Sequence, residues 1–456
     1  MTRDDVISAA FFVWGRELYK TTSLAKLADA LGVSKPALYR HFPGKDALLK
    51  AMETRFYDDY AAEMKPVLEG AVGIACWQER IFVMARFITA YFARHFDYFI
   101  YSLTHIHYKK EEKHRFFDDK EMQKRGIFFA RLIQGMQADR EYPPVMFLAG
   151  TTSFFDMALF HKNQVGHKNR FPLTAAQQRE LLGKRLEYAP SEEDVQCFAE
   201  ATVTRVRLGL CFDRELINSL PYEKLEALSV PEEPYSPDPL LKAVAEAMAE
   251  AGPYTSMETV AKRSGLSKSG LYAHFKSKRD MFSRFFMSEF DHIVAIVSAR
   301  SGLTEGRAER LYLALHTIAV YLRARPEILI ALEWVRIQRL NLDLSVPAEL
   351  YSLFEGFTIG DMAVEKSPEN TSQWILFLLV AVLMYRSEFA HGPEFNPEQC
   401  LDREPACGGN CPENGFSCFR DSEPGGKTGE FTSRSLRKLF KFITLGMEGL
   451  TEIGET

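Results

Sequence analysis

The sequence predicts an all-α protein made of two homologous halves, and three observations carry that prediction. Apolar residues recur at i, i+3 and i+4 through most of the chain, the spacing of helices with one buried face. The sequence also repeats itself: a shift of 233 positions lays Thr22 on Thr255, Ser23 on Ser256, Ala28 on Ala261 and Gly32 on Gly265, with 11 identities in the 24 positions from 22 to 45. Finally, at 456 residues with 46% hydrophobic and 26% charged side chains, the chain exceeds what one core serves yet has ample apolar material for two.

The formal charge of −5 excludes a uniformly basic coat, but residues 1–50 carry eight Lys/Arg against five Asp/Glu and residues 238–290 eight against six. Both copies of the repeat are therefore net basic within an acidic chain, as expected of segments that meet a polyanion. Met1-Thr2-Arg3-Asp4-Asp5 lacks the basic start of a signal peptide, which predicts a cytoplasmic protein. The longest apolar run, Trp374 to Tyr385, spans 12 residues before Arg386, short of the roughly 20 that cross a bilayer, and predicts a helix buried among helices.

Within the first copy, Val6, Ile7, Ala10, Phe11, Trp14 and Leu18 make one apolar face of a first helix. Thr22 is the expected N-cap of a second, with Leu24, Leu27, Ala28 and Leu31 inward and Gly32 ending it through a left-handed backbone. Ser34 caps a third, in which Val33, Leu38 and Phe42 point inward and Lys35, Pro36, Ala37, Tyr39, Arg40 and His41 stay outside. Pro36 falls in the first turn, where its missing N–H costs little. Two short helices around a glycine turn, the second with a small, basic and aromatic outer face, make a helix-turn-helix whose second helix fits the major groove of DNA.

The Thr-Ser pair, Ala28, Gly32-Val33-Ser34-Lys35, Leu38-Tyr39, His41-Phe42 and Lys45, together with their equivalents in the second copy, resemble the N-terminal DNA-binding domain of TetR-family transcriptional regulators. The resemblance covers about 50 residues of each half; where the family usually has Gly-aromatic before Thr-Ser, this chain has Leu18-Tyr19 and Ala251-Gly252. It implies a DNA-binding set of Thr22, Ser34, Lys35, Pro36, Ala37, Tyr39, Arg40, His41 and Lys45, and in the second half Thr255, Ser267, Lys268, Ser269, Gly270, Tyr272, His274 and Lys278. Tyr39 and Lys45 are expected on phosphates, and each of Lys45 and Lys278 begins a further helix whose backbone N–H groups also attract anions.

The division that follows is a helix-turn-helix domain over 1–50, a helical regulatory domain over 51–218, a linker over 219–238, a second helix-turn-helix domain over 239–285 and a second helical domain over 286–456. The linker is read from five prolines between Pro221 and Pro239. The aromatics from Ile81 to Tyr101, among them Phe82, Phe87, Tyr91, Phe92, Phe96, Tyr98 and Phe99, are either packed core or the wall of the small-molecule pocket that the resemblance implies. His95, His105, His107 and His114 suggest metal but read better as a solvated polar face. Ser191 with Asp194 signals the start of another helix, and the resemblance makes the last two helices of each half a dimer interface, closed here within a single chain.

Four of the seven cysteines, Cys400, Cys407, Cys411 and Cys418, crowd into a loop over 400–418 rich in Gly, Pro and Asn, with six, three and six residues between them. Four thiolates in a reducing compartment suit tetrahedral zinc or an iron–sulfur cluster, with thiol redox chemistry or no site as alternatives. Cys76, Cys197 and Cys211 fall in helical patterns and are expected as buried small apolar residues.

No nucleophile elbow, phosphate-binding glycine loop or HExxH is present, so no enzyme is expected. The expectation is a tandem regulator, with repression the default sign, in which one polypeptide supplies both recognition helices as a monomeric pseudo-dimer. Its partners would be a double-stranded DNA operator, asymmetric or an imperfect palindrome, and an unknown small-molecule effector, with no membrane. The alternatives are metal or redox sensing through Cys400–Cys418, an enzyme localised by its heads, and a non-sensing DNA-binding protein.

Overall fold

The computed structural model describes residues 2–14, 23–102, 119–127, 142–165, 190–230, 238–251, 255–325, 327–329, 331, 368–388 and 433–450. Among the described residues every regular element is a helix, as the periodicity predicts. The chain divides into two compact units, the first drawing on Met1–Tyr142 and Ser153–Val203, the second on Pro143–Thr152, Thr204–Phe395 and Phe416–Thr456.

The first unit opens with α1 (Arg3–Trp14), α2 (Leu24–Leu31) and α3 (Lys35–Tyr39), followed by α4 (Lys45–Val72), α5 (Trp77–Arg94), α6 (Phe96–Tyr101) and α7 (Asp119–Lys124). In α1 the residues Val6, Ile7 and Ala9 through Trp14 are all buried, because the helix is enclosed by α2, α4 and α6. Phe11 fixes it to the helices behind: its ring lies 4.8 Å from Tyr98 and 5.0 Å from Tyr101, both edge to face, the geometry that aromatic quadrupoles favour.

Between α4, α5 and α6 the aromatics pack on one another. Tyr60 meets Tyr91 at 5.0 Å, Tyr91 meets Phe92 at 5.3 Å, and Phe92 meets Phe99 at 5.9 Å. Tyr60, Tyr91, Phe92 and Phe99 have no exposed surface, so these rings form core in the interior of the bundle. His95 sits half-exposed beside Glu63, 3.2 Å from its carboxylate, while His105, His107 and His114 lie outside the described residues.

Helices α8 (Tyr142–Val165) and α9 (Glu192–Leu208) follow. The N-terminus of α9 is capped as its sequence predicts: the Asp194 N–H donates to Ser191 Oγ at 3.0 Å, and that hydroxyl donates to the Asp194 carboxylate at 2.6 Å. Arg94 lies in bidentate contact with Glu192, at 2.9 and 2.8 Å, and Arg86 pairs with Glu200, so two ion pairs tie α5 to α9. His161 on α8 is buried and its Nε2 donates to the Phe92 carbonyl at 2.8 Å.

The second unit holds α10 (Arg214–Asn218), α11 (Tyr222–Ser229), α12 (Pro239–Ala251), α13 (Met257–Ser264), α14 (Lys268–His274), α15 (Lys278–Ser301), α16 (Arg307–Ala324), α17 (Pro368–Glu388) and α18 (Ser433–Leu445). Helix α11 lies inside the stretch 219–238 read as linker. Pro221 is its N-cap, a position that needs no backbone donor, so the proline begins this helix instead of preventing it. Tyr222 and Leu225 are buried, Glu226 accepts from Tyr312 of α16 at 2.6 Å and from Arg437 of α18 at 2.7 and 3.0 Å, and Ser229 Oγ stands 2.6 Å from His316 Nδ1. Apolar burial and charge-assisted hydrogen bonds together make this segment part of the bundle.

The apolar run in α17 is buried at Trp374, Ile375, Leu378 and Leu379, and the Trp374 indole donates to Thr152 Oγ1 at 3.1 Å. No helix among the described residues is long and apolar enough to cross a membrane.

The end of α9 and the end of α18 cross at two glycines. The Leu210 N–H donates to the Ile443 carbonyl at 2.8 Å, and the Met447 N–H to the Val206 carbonyl at 2.9 Å. Gly209 and Gly446 have φ of 57° and 67°, which turns each chain out of its helix and into the other backbone.

The three cysteines expected to be buried are exposed. Cys76 is the N-cap of α5, outside the helical face, and Cys197 stands opposite the buried Val195, Phe198, Ala199 and Thr202 of α9. Cys211 follows the glycine turn with φ of 54°, where the helical pattern has already ended.

Candidate nucleic-acid interface

The two copies fold alike from the same residues. In each, a serine begins the second helix: Ser23 Oγ accepts from the Lys26 N–H and Ser256 Oγ from the Thr259 N–H. The cap is thus one residue later than the expected Thr22, which itself lies outside the described residues. Thr255, its equivalent, is fully buried and donates to the Ala247 carbonyl at 2.9 Å, so it fastens helices α12 and α13 together and presents no side chain to a ligand.

Both second helices end on a left-handed glycine, Gly32 at φ 69° and Gly265 at φ 70°. The following N–H then reaches back into the last turn, Val33 to Ala28 at 3.0 Å and Leu266 to Ala261 at 2.9 Å, closing the same C-cap twice. This turn sets the angle at which the next helix leaves. Leu38 and Leu271 are fully buried on the inner side of α3 and α14, and Phe42 and Phe275 close the base of each.

Opposite those anchors lies the outer face. Ser34, Lys35, Pro36, Tyr39 and Arg40 are exposed, with Ala37 and His41 partly covered; in the second copy Ser267, Lys268, Ser269, Tyr272, Ala273 and His274 are exposed and Gly270 is partly covered. Tyr39 is 52% and Tyr272 48% exposed, among the few large apolar side chains left open to solvent in the described residues. Among the described residues the side chains of Lys35, Tyr39, Arg40, Lys268 and Tyr272 make no hydrogen bond or ion pair. Arg263, by contrast, is held by Glu246 at 3.3 Å and by Glu250 and takes no part in this face. Unpaired cations beside an exposed aromatic ring form a surface able to receive phosphates without first breaking protein contacts.

Lys45 and Lys278 open α4 and α15, and partial burial pushes the pKa of each ammonium down from its ordinary value. Lys278 Nζ lies 5.5 Å above the Phe282 ring. Helices α4 and α15 therefore place equivalent cations at their N-termini beside α3 and α14.

The copies differ where they face outward. Ser34 makes no side-chain cap before Pro36, whereas Ser267 Oγ accepts from the Gly270 N–H at 3.0 Å and lies 2.9 Å from Ser269 Oγ. A side chain at Gly270 would come within 3.3 Å of that Ser267 oxygen. Helix α14 accordingly runs seven residues where α3 runs five. Arg40 has Ala273 as its counterpart.

Cys400, Cys407, Cys411 and Cys418 lie outside the described residues, and among the described residues no cluster of His, Cys, Asp and Glu is arranged to hold a metal ion.

Fold and faces together define an all-helical protein carrying two helix-turn-helix domains. The sequence profile of "Bacterial regulatory proteins, tetR family" matches residues 6–52 and again residues 240–285, the segments that contain these two faces. That tetR-family domain is therefore matched twice in this chain, once at each helix-turn-helix. It is also similar to the HTH-type transcriptional repressor ComR of Escherichia coli (strain K12), 36% identical over 61 residues, which make up 13% of this chain and 29% of that protein.

Proposed function

We propose that this protein is a sequence-specific DNA-binding transcriptional regulator of the cytoplasm, in which one chain supplies both reading heads of a pseudo-dimer. The observation that carries the reading is the repeated surface: Tyr39 with Lys35 and Arg40, and Tyr272 with Lys268, exposed and without a partner among the described residues, on two recognition helices seated by the same capped turn. The similarity to a transcriptional repressor favours repression as the sign of regulation.

The two outer faces are unlike, so the operator is an asymmetric or imperfect palindrome with half-sites about one helical turn apart. The reciprocal crossing of α9 and α18 supports a monomer, because residues 206–210 and 443–447 already answer each other's backbone groups. A small-molecule effector bound in the helical body would release or engage the heads. The alternative trigger is a metal or redox state at Cys400, Cys407, Cys411 and Cys418, for which four thiolates suit zinc or an iron–sulfur cluster.

Footprinting of full-length protein on DNA upstream of its own gene and neighbouring genes tests the reading. A protected site with two unequal half-sites is expected. Protection independent of sequence would remove the regulator from consideration, and two identical half-sites protected with equal affinity would remove the asymmetry. Metal analysis and an absorbance spectrum of anaerobically purified protein, with operator affinity for apo, holo and oxidised protein and for Cys407→Ser, separate the two triggers.

A further inference from the structure

We infer that Arg40 is a specificity-determining residue that makes the first head a reader of guanine, while the second head, with Ala273 there, reads a thymine-containing step instead. The inference rests on the proposed DNA-binding function and deepens it.

The argument starts from angular position. At about 100° per residue, Pro36 and Arg40 stand nearly opposite Leu38 on α3, whereas Lys35 and Tyr39 flank one side and Ala37 and His41 the other. Leu38 is fully buried, and Arg40 keeps helical backbone angles, φ −66° and ψ −29°, so the count continues to it. The line through Pro36 and Arg40 is therefore the centre of the exposed face. When a helix enters a groove, its central line faces the base edges, and its flanks face the two phosphate walls.

On that line the first head has one side chain able to donate hydrogen bonds. Pro36 has none, and the exposed Arg40 guanidinium is bound to no other group among the described residues. An arginine reaching a base edge pairs with guanine O6 and N7 through two parallel N–H donors, a pattern no other base offers in the major groove. On the same line of α14 stand Ser269 and Ala273, both exposed. The Ala273 methyl suits contact with a thymine C5-methyl, and the Ser269 hydroxyl pairs with more than one base. Lys35 with Lys268 and Tyr39 with Tyr272, on the flanks, are the same in both heads, as sequence-independent phosphate contacts would be. A shared Lys–Tyr flank and different centres give two heads that dock alike and read differently.

The test is selection of binding sites from a random duplex pool by full-length protein, followed by sequencing, for the wild type, Arg40→Ala and Ala273→Arg. The wild type should select two unlike half-sites, one with a fixed guanine and the other with thymine at the corresponding position. Arg40→Ala should lose discrimination for that guanine by about tenfold to a hundredfold and leave the other half-site intact. Ala273→Arg should bring guanine into the second half-site. If Arg40→Ala instead weakens binding equally on all duplexes and reduces the salt dependence by one contact, Arg40 is a phosphate ligand and the inference is overturned. Recovery of no preferred duplex by the wild type would overturn the DNA-reading function itself. Unchanged helical circular dichroism for both variants excludes misfolding as the cause.

Discussion

Gly209 and Gly446 occupy equivalent places in a reciprocal backbone crossing, in which the residue after each glycine donates to a carbonyl three residues before the other. A Cβ at Gly446 would stand 2.2 Å from the Arg207 carbonyl oxygen, and one at Gly209 2.5 Å from that of Ile443. Exchange of the same bonds in both directions marks a local twofold relation between the ends of the two repeats, the signature of an isologous contact, here enclosed in one polypeptide.

Gly446→Ala should therefore destabilise the protein by at least about 2 kcal/mol, from left-handed strain plus the loss of contact distance at the crossing. Gly302, at φ −68° with no atom nearer than 3.8 Å to a built Cβ, is the control. Gly302→Ala should stay within about 0.5 kcal/mol of wild type. Urea midpoints of the two variants at matched slopes decide the matter; equal midpoints would mean that the crossing yields without cost.

Glu289 and Arg325 form a buried ion pair, with Arg325 Nη1 at 3.2 and 3.1 Å from the two carboxylate oxygens and the Tyr321 hydroxyl donating to the same carboxylate at 2.5 Å. Burial raises the Glu289 pKa, against the pull of Tyr321 and Arg325. Glu289→Ala should cost about 3 kcal/mol, because it takes away the carboxylate that faces Arg325 Nη1 and leaves the buried guanidinium with Glu327 alone, 2.9 Å from Nε. Replacing both partners with apolar residues of similar volume should cost much less than that single change. Thermal and urea unfolding of the two variants measures the difference.

His161 makes stability depend on pH. Burial pushes its pKa down to about 4, with the hydrogen bond to the Phe92 carbonyl acting in the opposite direction, so the folded protein keeps the ring neutral. The unfolded chain takes up that proton near pH 6.5, as an ordinary histidine does. Its contribution is thus fully present above about pH 6.5 and falls as the pH drops toward about 4, by up to about 3 kcal/mol. His161→Gln, which retains a donor for Phe92, should flatten the stability profile across that interval. A profile of the same steepness would assign the acid sensitivity to other groups.

On the DNA side, Lys35→Ala and Lys268→Ala should each lower the slope of log affinity against log salt by about one, with little effect on base preference. Both side chains are exposed and unpaired among the described residues, so unfolding free energies should change by less than about 0.5 kcal/mol. Titrations at several salt concentrations check the slope, and a slope unchanged in both variants would take these lysines off the phosphates.

Much of each reading head was legible because its determinants are local. Gly32 and Gly265 end a helix by their own backbone freedom, Leu38 and Phe42 are inward by spacing alone, and Ser191 with Asp194 caps α9 from within four residues. The choice between Thr22 and Ser23 as N-cap was not legible, since adjacent hydroxyls satisfy the same local rule. Only burial decided it in the second copy, where Thr255 turns inward to Ala247 and Ser256 takes the cap. A second short repeat, Leu208-Gly209-Leu210 against Leu445-Gly446-Met447, stands in the sequence at the ends of the halves.

By itself, then, the sequence determined the helical class, the duplication, the frame of both helix-turn-helix domains and which side chains differ between them, because helix periodicity, caps and turns act over a few residues. Only the tertiary structure decided that Tyr222–Ser229 joins a bundle despite its flanking prolines, that Cys197 faces solvent, that the aromatics of α5 pack on each other, and that Gly209 meets Gly446. Each of these depends on partners far away in the chain, such as Arg437 for Glu226 or Ile443 for Leu210, and no local rule specifies which distant surface will arrive to bury a given face.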